Sequence, residues 1–415
     1  MTGRYLFRFG LARAVISPWL PYGVPKSEIT LGERLAKLGY ESRGAFGKWH
    51  LGHLQPEWHP LNQGFTDFEG QYNGMAYYWT RHRVGEPDWH VADKPTEITG
   101  YTIDLVGSAV SEFIRNHAAD DSPFFAYVPF TAPHLPLQAL QELVTKYRSL
   151  ANDSDELGRM SKPTLAAMID SLDVNIGKIL SPVDEAGIRE NTAIWFFSDN
   201  GGIGAIPDNN APLRGEKRTT WEGGIRVPAA VMWPGSIRGG RVLNQPVINT
   251  DLLPTLLAVA GHVSEKDEAL DGLNIIDSLL DPDKKLPARK LFFYRGKGGP
   301  ENEWGGVISE SDWKLVVRGP DVRRKVRWQS KSHEVGLYNL KTDPNETTDL
   351  SSLYPDIVEE LGGELVEFRR LQPANGIPAT GGIMPDVYIP PKKWERHLKR
   401  LESLNDREGL GKALN

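Results

Sequence analysis

Up to Gly261 the apolar residues of this chain fall into two alternating periods. Leu31, Leu35 and Leu38 follow one another at helical spacing, which gives a short helix one apolar face. Thr30-Leu31-Gly32-Glu33 opens it as a capping box, in which hydroxyl and carboxylate each accept a terminal amide. Gly39 supplies the stop. The period returns over Thr102 to His117, with Ile103, Val106, Val110, Phe113 and Ile114 on one face. It returns again over Leu165 to Leu180, through Ala166, Ile169, Leu172, Ile176 and Ile179. A fourth helix is predicted from a Thr250 cap to Val259. Between the helices lie Glu41 to Phe46 and three continuous apolar runs, Phe124 to Pro129, Thr192 to Ser198 and Val227 to Trp233. Such runs suit strands buried on both faces. Strands alternating with helices predict α/β architecture with a mostly parallel sheet, and ligands bind such sheets at the carboxyl ends of the strands.

The pattern changes after the linker Asp281-Pro282-Asp283-Lys284-Lys285. Short strand-like runs follow at Leu291 to Tyr294, Trp304 to Ser309, Trp313 to Arg318 and Gly336 to Asn339. They predict a smaller antiparallel sheet, with a helix from Ile357 to Leu371 packed on it. Three units are therefore expected: 1–285, 286–371, and a Pro/Gly-rich tail over 372–415 that ends in a surface helix from Lys392 to Leu404. Arg323 to Lys331 is basic and reads as a solvated loop.

Composition narrows the class. With 415 residues, 40% hydrophobic and 25% charged, the chain can bury more than one core. A net charge of −6 provides no general attraction for nucleic acid or an anionic membrane. No apolar run is long enough for a membrane span. There is no cysteine, so disulfides, thiolate metal sites and a cysteine nucleophile are excluded within these residues. The first residues show no signal peptide.

Four segments could carry chemistry: three lie where strands are expected to end, and the fourth follows the Asp199 turn by one short loop. Gly47-Lys48-Trp49-His50-Leu51-Gly52 places a lysine and a histidine two positions apart. In an extended segment both face one way, a fixed cation beside a proton-handling imidazole. A solvated lysine and a structural histidine are the plain alternative. Thr131-Ala132-Pro133-His134-Leu135-Pro136 fixes the backbone around a histidine, as a preorganised donor or as a rigid loop with an incidental one. Asp199-Asn200-Gly201-Gly202 offers a carboxylate and an amide oxygen. These suit a hard divalent cation, Ca²⁺ or Mg²⁺, or simply a turn. Arg214-Gly215-Glu216-Lys217-Arg218 packs three cations beside Trp221-Glu222-Gly223-Gly224, as an oxyanion clamp or as a solvated basic loop.

Taken together, the order and spacing of these segments resemble the type I (formylglycine-dependent) sulfatases of the alkaline phosphatase superfamily. The arylsulfatase B-like branch, which acts on N-acetylgalactosamine 4-sulfate, is the most similar. Pro129 to Gln138, Asp88-Trp89-His90, Gly100 to Leu105, Asp312 to Leu315 and Gly336 to Leu340 extend the resemblance over nearly the whole chain. It implies an alkaline phosphatase-like sandwich with the smaller C-terminal sheet. In that family the residues matching Lys48 and His50 contact the sulfate and the nucleophile. Those matching His134 and Lys217 bind sulfate oxygens and help the leaving oxygen. The pair matching Asp199 and Asn200 holds calcium. The implied partner is a sulfated sugar or aryl sulfate. Complete relatives are often exported. Sugar-contacting candidates such as Trp49, His59, His90 and Trp221 do not separate from packing residues by sequence.

One departure lies at the front. In the family, the segment matching Thr2-Gly3-Arg4-Tyr5 follows a Cys/Ser-x-Pro-x-Arg signature whose first residue becomes formylglycine. Upstream of that lie two aspartates of the calcium site. The chain begins past both, so the expectation is an N-terminally truncated reading of a sulfatase gene, with an incomplete calcium site and negligible turnover. The competing expectations are a catalytically dead sulfated-glycan binder and a phosphoester or phosphonate-ester hydrolase of the same superfamily.

Overall fold

Thr30 caps the first helix, Leu31–Ala36, as its sequence predicts: its backbone N–H donates to Glu33 at 2.8 Å and its hydroxyl accepts the Glu33 amide at 3.3 Å. The hydroxyl also donates to the Gln63 carbonyl at 2.7 Å, tying the cap to the next loop. The computed structural model describes residues 1–11, 16, 23–83, 85–151, 161–262, 270–296, 303–318 and 334–371. The basic segment 323–331 and the tail with its expected surface helix lie outside the described residues.

A five-stranded sheet forms the centre. Ser42–Lys48 runs parallel to Asp67–Gln71 on one side and to Phe124–Tyr127 on the other, and the short strands His90–Val91 and Lys94–Pro95 extend it antiparallel. The helix Thr102–His117 covers one face. Its predicted stripe is buried throughout: Val106, Val110, Phe113 and Ile114 pack on Phe46, Trp89 and Phe124, and Ile103 packs on Tyr78 and Met168. On the other face Ala45, Trp49, Phe65 and Phe68 form a second cluster with Tyr127.

Several expectations need correction. Phe124–Tyr127 is the edge of the sheet and only half-buried, although Phe124 and Ala126 pack on one face and Phe125 and Tyr127 on the other. The Thr192 and Val227 runs become Ile194–Phe197 and Ala229–Met232, which pair antiparallel in a separate two-stranded sheet. Phe196 is 45% exposed there. The Thr250 hydroxyl makes no cap bond. Asn249–Asp251 is a 3₁₀ turn, and the Asp251 carboxylate accepts the Ile248 amide instead.

The third helix runs Lys162–Glu185, and its buried line is Thr164, Ala167, Met168, Ser171, Asn175 and Val183. The apolar stripe chosen by periodicity lies to one side, with Ile169 48% exposed. The reason is close approach to the Thr102–His117 helix through small and polar groups. Gly107 faces the Asn175 amide with no room for a side chain. Asn175 Nδ2 donates to Asp104 at 2.8 Å, and Ser111 Oγ donates to the Lys178 carbonyl at 3.0 Å.

The C-terminal unit matches its prediction. Four antiparallel strands, Leu291–Gly296, Glu303–Ile308, Trp313–Arg318 and Glu334–Asn339, stand in chain order. The helix Pro355–Arg370 lies on one face, where Val307, Leu315, Val317 and Leu337 meet Leu361, Leu365 and Phe368. The opposite face is covered as well. There Trp304, Val316 and Tyr338 surround Trp221.

Candidate functional site

Lys48 is the last residue of its strand, so the extended segment ends before His50. His50 instead turns left-handed at φ 55, while its amide bonds to the Tyr72 carbonyl at 2.9 Å. The same-face argument from spacing therefore fails, although a shared environment does not. The flanking glycines serve the backbone rather than a ligand. Gly47, at φ 117, leaves room for the Pro129 carbonyl, which a side chain would meet at 2.5 Å. That carbonyl accepts the Lys48 amide at 2.8 Å, fixing the lysine between two parallel strands. Gly74 lies against the His50 ring with no space for a Cβ.

The His50 imidazole is pinned. Its Nε2 lies 2.9 Å from the Ile16 carbonyl, which can only accept, so Nε2 carries the proton and Nδ1 is the open acceptor. Burial, aided by the Lys48 charge, pushes its pKa down to about 3, so it is neutral near pH 7. His134 follows the same logic with the nitrogens exchanged. Its Nδ1 donates to the Leu135 carbonyl at 2.8 Å, leaving Nε2 free to face a ligand. Its own carbonyl accepts the Tyr78 hydroxyl at 3.0 Å, and its two neighbouring prolines both follow cis bonds. Burial lowers its pKa, as do Lys217 and Lys48, while the Leu135 bond and Asp199 oppose the shift.

Asp199 and Asn200 lie just beyond the Ile194–Phe197 strand. The Gly201 amide of this turn bonds to the Gly224 carbonyl at 3.0 Å, and the Lys217 amide bonds to the Gly202 carbonyl at 2.8 Å. The loop bearing Lys217 is thus hydrogen-bonded directly to the turn bearing Asp199. Desolvation lowers the pKa of both Lys48 and Lys217, and Asp199 partly offsets it in each. Lys217 in turn lowers Lys48. Lys48, His134, Asp199 and Lys217 therefore lie within electrostatic reach of one another, and His50 joins through Lys48 and His134. Half-buried lysines lose solvation that a bound oxyanion would restore.

Asp199 and Asn200 supply two hard oxygen donors, the right chemistry for calcium. Calcium takes about six to eight oxygens, and among the described residues no group of three or more carboxylates or imidazoles converges. The donor set fits the ion in kind but not in number, so no step is derived through it.

Of the other candidates, Trp49 is packing: its Nε1 donates to the carbonyls of Gly52 at 3.0 Å and Trp58 at 2.8 Å. His90 is buried and stacked on Tyr72 with centroids 3.8 Å apart. His59 is held 2.6 Å from the Tyr72 hydroxyl. Trp221 lies under Arg214, whose guanidinium centre is 3.9 Å from the ring centroid. Arg214 is accordingly engaged with aromatic rings and the Tyr338 hydroxyl at 3.1 Å. Beside the site Glu222, Lys314 and Glu346 form a buried ion cluster against the Lys217 loop; the sequence reading includes Glu222 and Lys314 only within longer segments, gives neither a role of its own, and passes over Glu346. The signal for Lys314 is a lysine in register with Val316 inside a strand, on a face that turns out to be covered.

The Sulfatase family profile matches residues 1–262, and that for the C-terminal part of N-sulphoglucosamine sulphohydrolase matches residues 215–370. The chain is 34% identical to the N-acetylgalactosamine-6-sulfatase of Homo sapiens over 71% of its own length. It spans 58% of that enzyme's length. Arylsulfatase J of Mus musculus is 29% identical over 89% of this chain and 67% of the relative. Among solved structures, Ps i-CgsB in complex with k-i-k-neocarrahexaose superposes with a TM-score of 0.78 at 25% identity. That match covers 91% of this chain and 82% of the other.

Proposed function

Because this chain belongs to the sulfatase family, we propose that it carries the oxyanion-holding part of a sulfate-ester hydrolase acting on sulfated sugars. The observation supporting this most directly is the mutual electrostatic reach of Lys48, His134, Asp199 and Lys217, with His50 joined through Lys48 and His134, at the carboxyl ends of two strands. In this reading Lys48 and Lys217 hold nonbridging sulfate oxygens, neutralising charge that grows as the S–O bond breaks. Neutral His50 offers Nδ1 as an acceptor next to the reacting centre. His134, with Nδ1 tied to Leu135, presents Nε2 to the ester; when protonated it donates to the departing alkoxide. Its lowered pKa makes it a stronger acid once protonated.

The family uses a metal ion. We propose calcium, with Asp199 and Asn200 as two of its ligands. Bound there, it would supply Lewis-acid polarisation of the sulfate oxygens. We also propose the boundary between the catalytic and C-terminal units at residue 285.

The family's nucleophile stands in a Cys/Ser-x-Pro-x-Arg signature, and the 415 residues contain neither a cysteine nor that serine pattern. These residues alone are therefore expected to hold a sulfate ester without releasing sulfate. The test incubates the purified chain with N-acetylgalactosamine 4-sulfate and with the 6-sulfate, following free sulfate by ion chromatography and binding by calorimetry. Binding of either ester without release supports the reading. Release that Lys48→Ala abolishes would overturn the inactive part. Failure of a folded chain to bind either ester, or sulfate itself, would sink the whole.

A further inference from the structure

Lys314 has no exposed surface, and its ammonium lies 2.7 Å from Glu222 Oε1 and 2.7 Å from Glu346 Oε1. Glu346, also fully buried, stands at φ 56, a left-handed backbone that a non-glycine residue rarely adopts. Its second oxygen accepts the Glu222 amide at 2.7 Å, and its carbonyl accepts Arg214 Nη1 at 3.1 Å. The only other cation paired with Glu222 among the described residues is Arg226, at 3.8 Å and largely in solvent.

From Glu222 the contacts run on to the site. The Gly223 amide donates to the Arg214 carbonyl at 2.7 Å, Gly201 donates to Gly224 at 3.0 Å, and Lys217 donates to Gly202 at 2.8 Å. Gly201 is pressed so closely on the Gly223 carbonyl that a side chain has no room. The path starts on a strand of the C-terminal sheet and ends on the backbone that bears Asp199, Asn200 and Lys217. A brace that only joined two units could sit anywhere along their contact. This one grips the four-residue helix Glu222–Ile225, whose carbonyl and amide groups seat the site's two loops.

We propose that Glu346 and Lys314 are positioning residues for the sulfate site: by holding Glu222 they set where the Asp199–Gly202 turn and Lys217 stand. The purpose of that positioning rests on the sulfatase reading; the mechanical coupling does not. Small displacements of groups that hold a reacting anion are costly, so loosening this grip weakens the site without touching it.

The test compares the full 415-residue chain with Glu346→Gln, by hydrogen–deuterium exchange and by calorimetric titration of inorganic sulfate. Exchange in peptides covering 199–202 and 214–224 is expected to rise about tenfold, with a rise of about tenfold in the sulfate Kd. Peptides from Thr102–His117 and Trp313–Arg318 keep their wild-type rates. Unchanged exchange over 199–202 and 214–224 in a folded variant overturns the proposal. So does faster exchange confined to the C-terminal strands, the mark of a purely structural brace. Should Glu346→Gln not fold, Lys314→Arg, which keeps the charge but alters its reach, is read the same way. If the wild-type chain binds no sulfate, the functional reading falls, while the exchange rates still decide the coupling.

Discussion

A histidine shut away from water loses its proton early, and His50 and His90 are such groups. Burial pushes His50 and His90 down to about 3, with Lys48 adding to the first and His53 and His59 to the second. The unfolded chain takes up these protons near pH 6.5. The native state does not, so stability is full above about pH 6.5 and is lost as pH falls toward the folded values. Each group is worth up to about 5 kcal/mol at pH 3. Urea unfolding between pH 7 and pH 4 is expected to show a falling midpoint, and His90→Phe to flatten part of that fall; equal slopes in the two proteins would contradict it. Lys48, His50, His134, Asp199, Asn200 and Lys217 could be singled out in the sequence because each sits in a short polar segment after an apolar run. Glu346 could not. Its surroundings, Asp343-Pro344-Asn345-Glu346, read as a solvated turn, and only the fold folds that turn inward onto Lys314.

The elements themselves were most legible where local chemistry and burial agree. The capping box at Thr30 and the full extent of Thr102–His117 were both readable, since a strong apolar stripe meets a sheet. The helix Lys162–Glu185 was misread on its facing side. Its partner is another helix, approached through Gly107, Ser111, Ser171 and Asn175, so the apolar period in its sequence does not mark the facing side. The strand ending at Lys48 also runs past its expected stop, because Gly47 pairs with Gly70 despite its positive φ. That glycine is the place to test the element. Gly47→Ala combines an unfavourable φ with a Cβ driven onto the Pro129 carbonyl, and is expected to cost about 2–3 kcal/mol. A loss below about 0.5 kcal/mol by chemical denaturation, within the range of an ordinary surface change, would show that the strand end can relax.

Across the whole molecule, two units meet through charge as well as apolar surface. Tyr5 packs edge-on against Phe368, with centroids 4.8 Å apart, and Lys314 bridges from the C-terminal sheet to Glu222. The bridge carries two carboxylates for one ammonium, so removing the cation strands both anions in a dry interface. Lys314→Met is therefore expected to cost about 3–5 kcal/mol, read as a lowered denaturation midpoint. A near-neutral result would mean that water or a shifted proton compensates. The α/β class and the change to an antiparallel sheet were both legible, because alternation of helix and strand periods reports architecture directly. The separation of Ile194–Phe197 and Ala229–Met232 from the central sheet was not, since an apolar run carries no record of its partner.

The central claim is that lysines far apart in sequence form one oxyanion pocket. It is tested most directly by calorimetric titration of inorganic sulfate at pH 7 into the wild-type chain, Lys48→Ala, Lys217→Ala and the double variant. The account expects one saturable site, a loss of about tenfold for each single change, and a double loss that departs from their sum because both lysines hold the same anion. A folded wild-type chain that shows no saturable sulfate binding, or single changes that leave the affinity untouched, would contradict it.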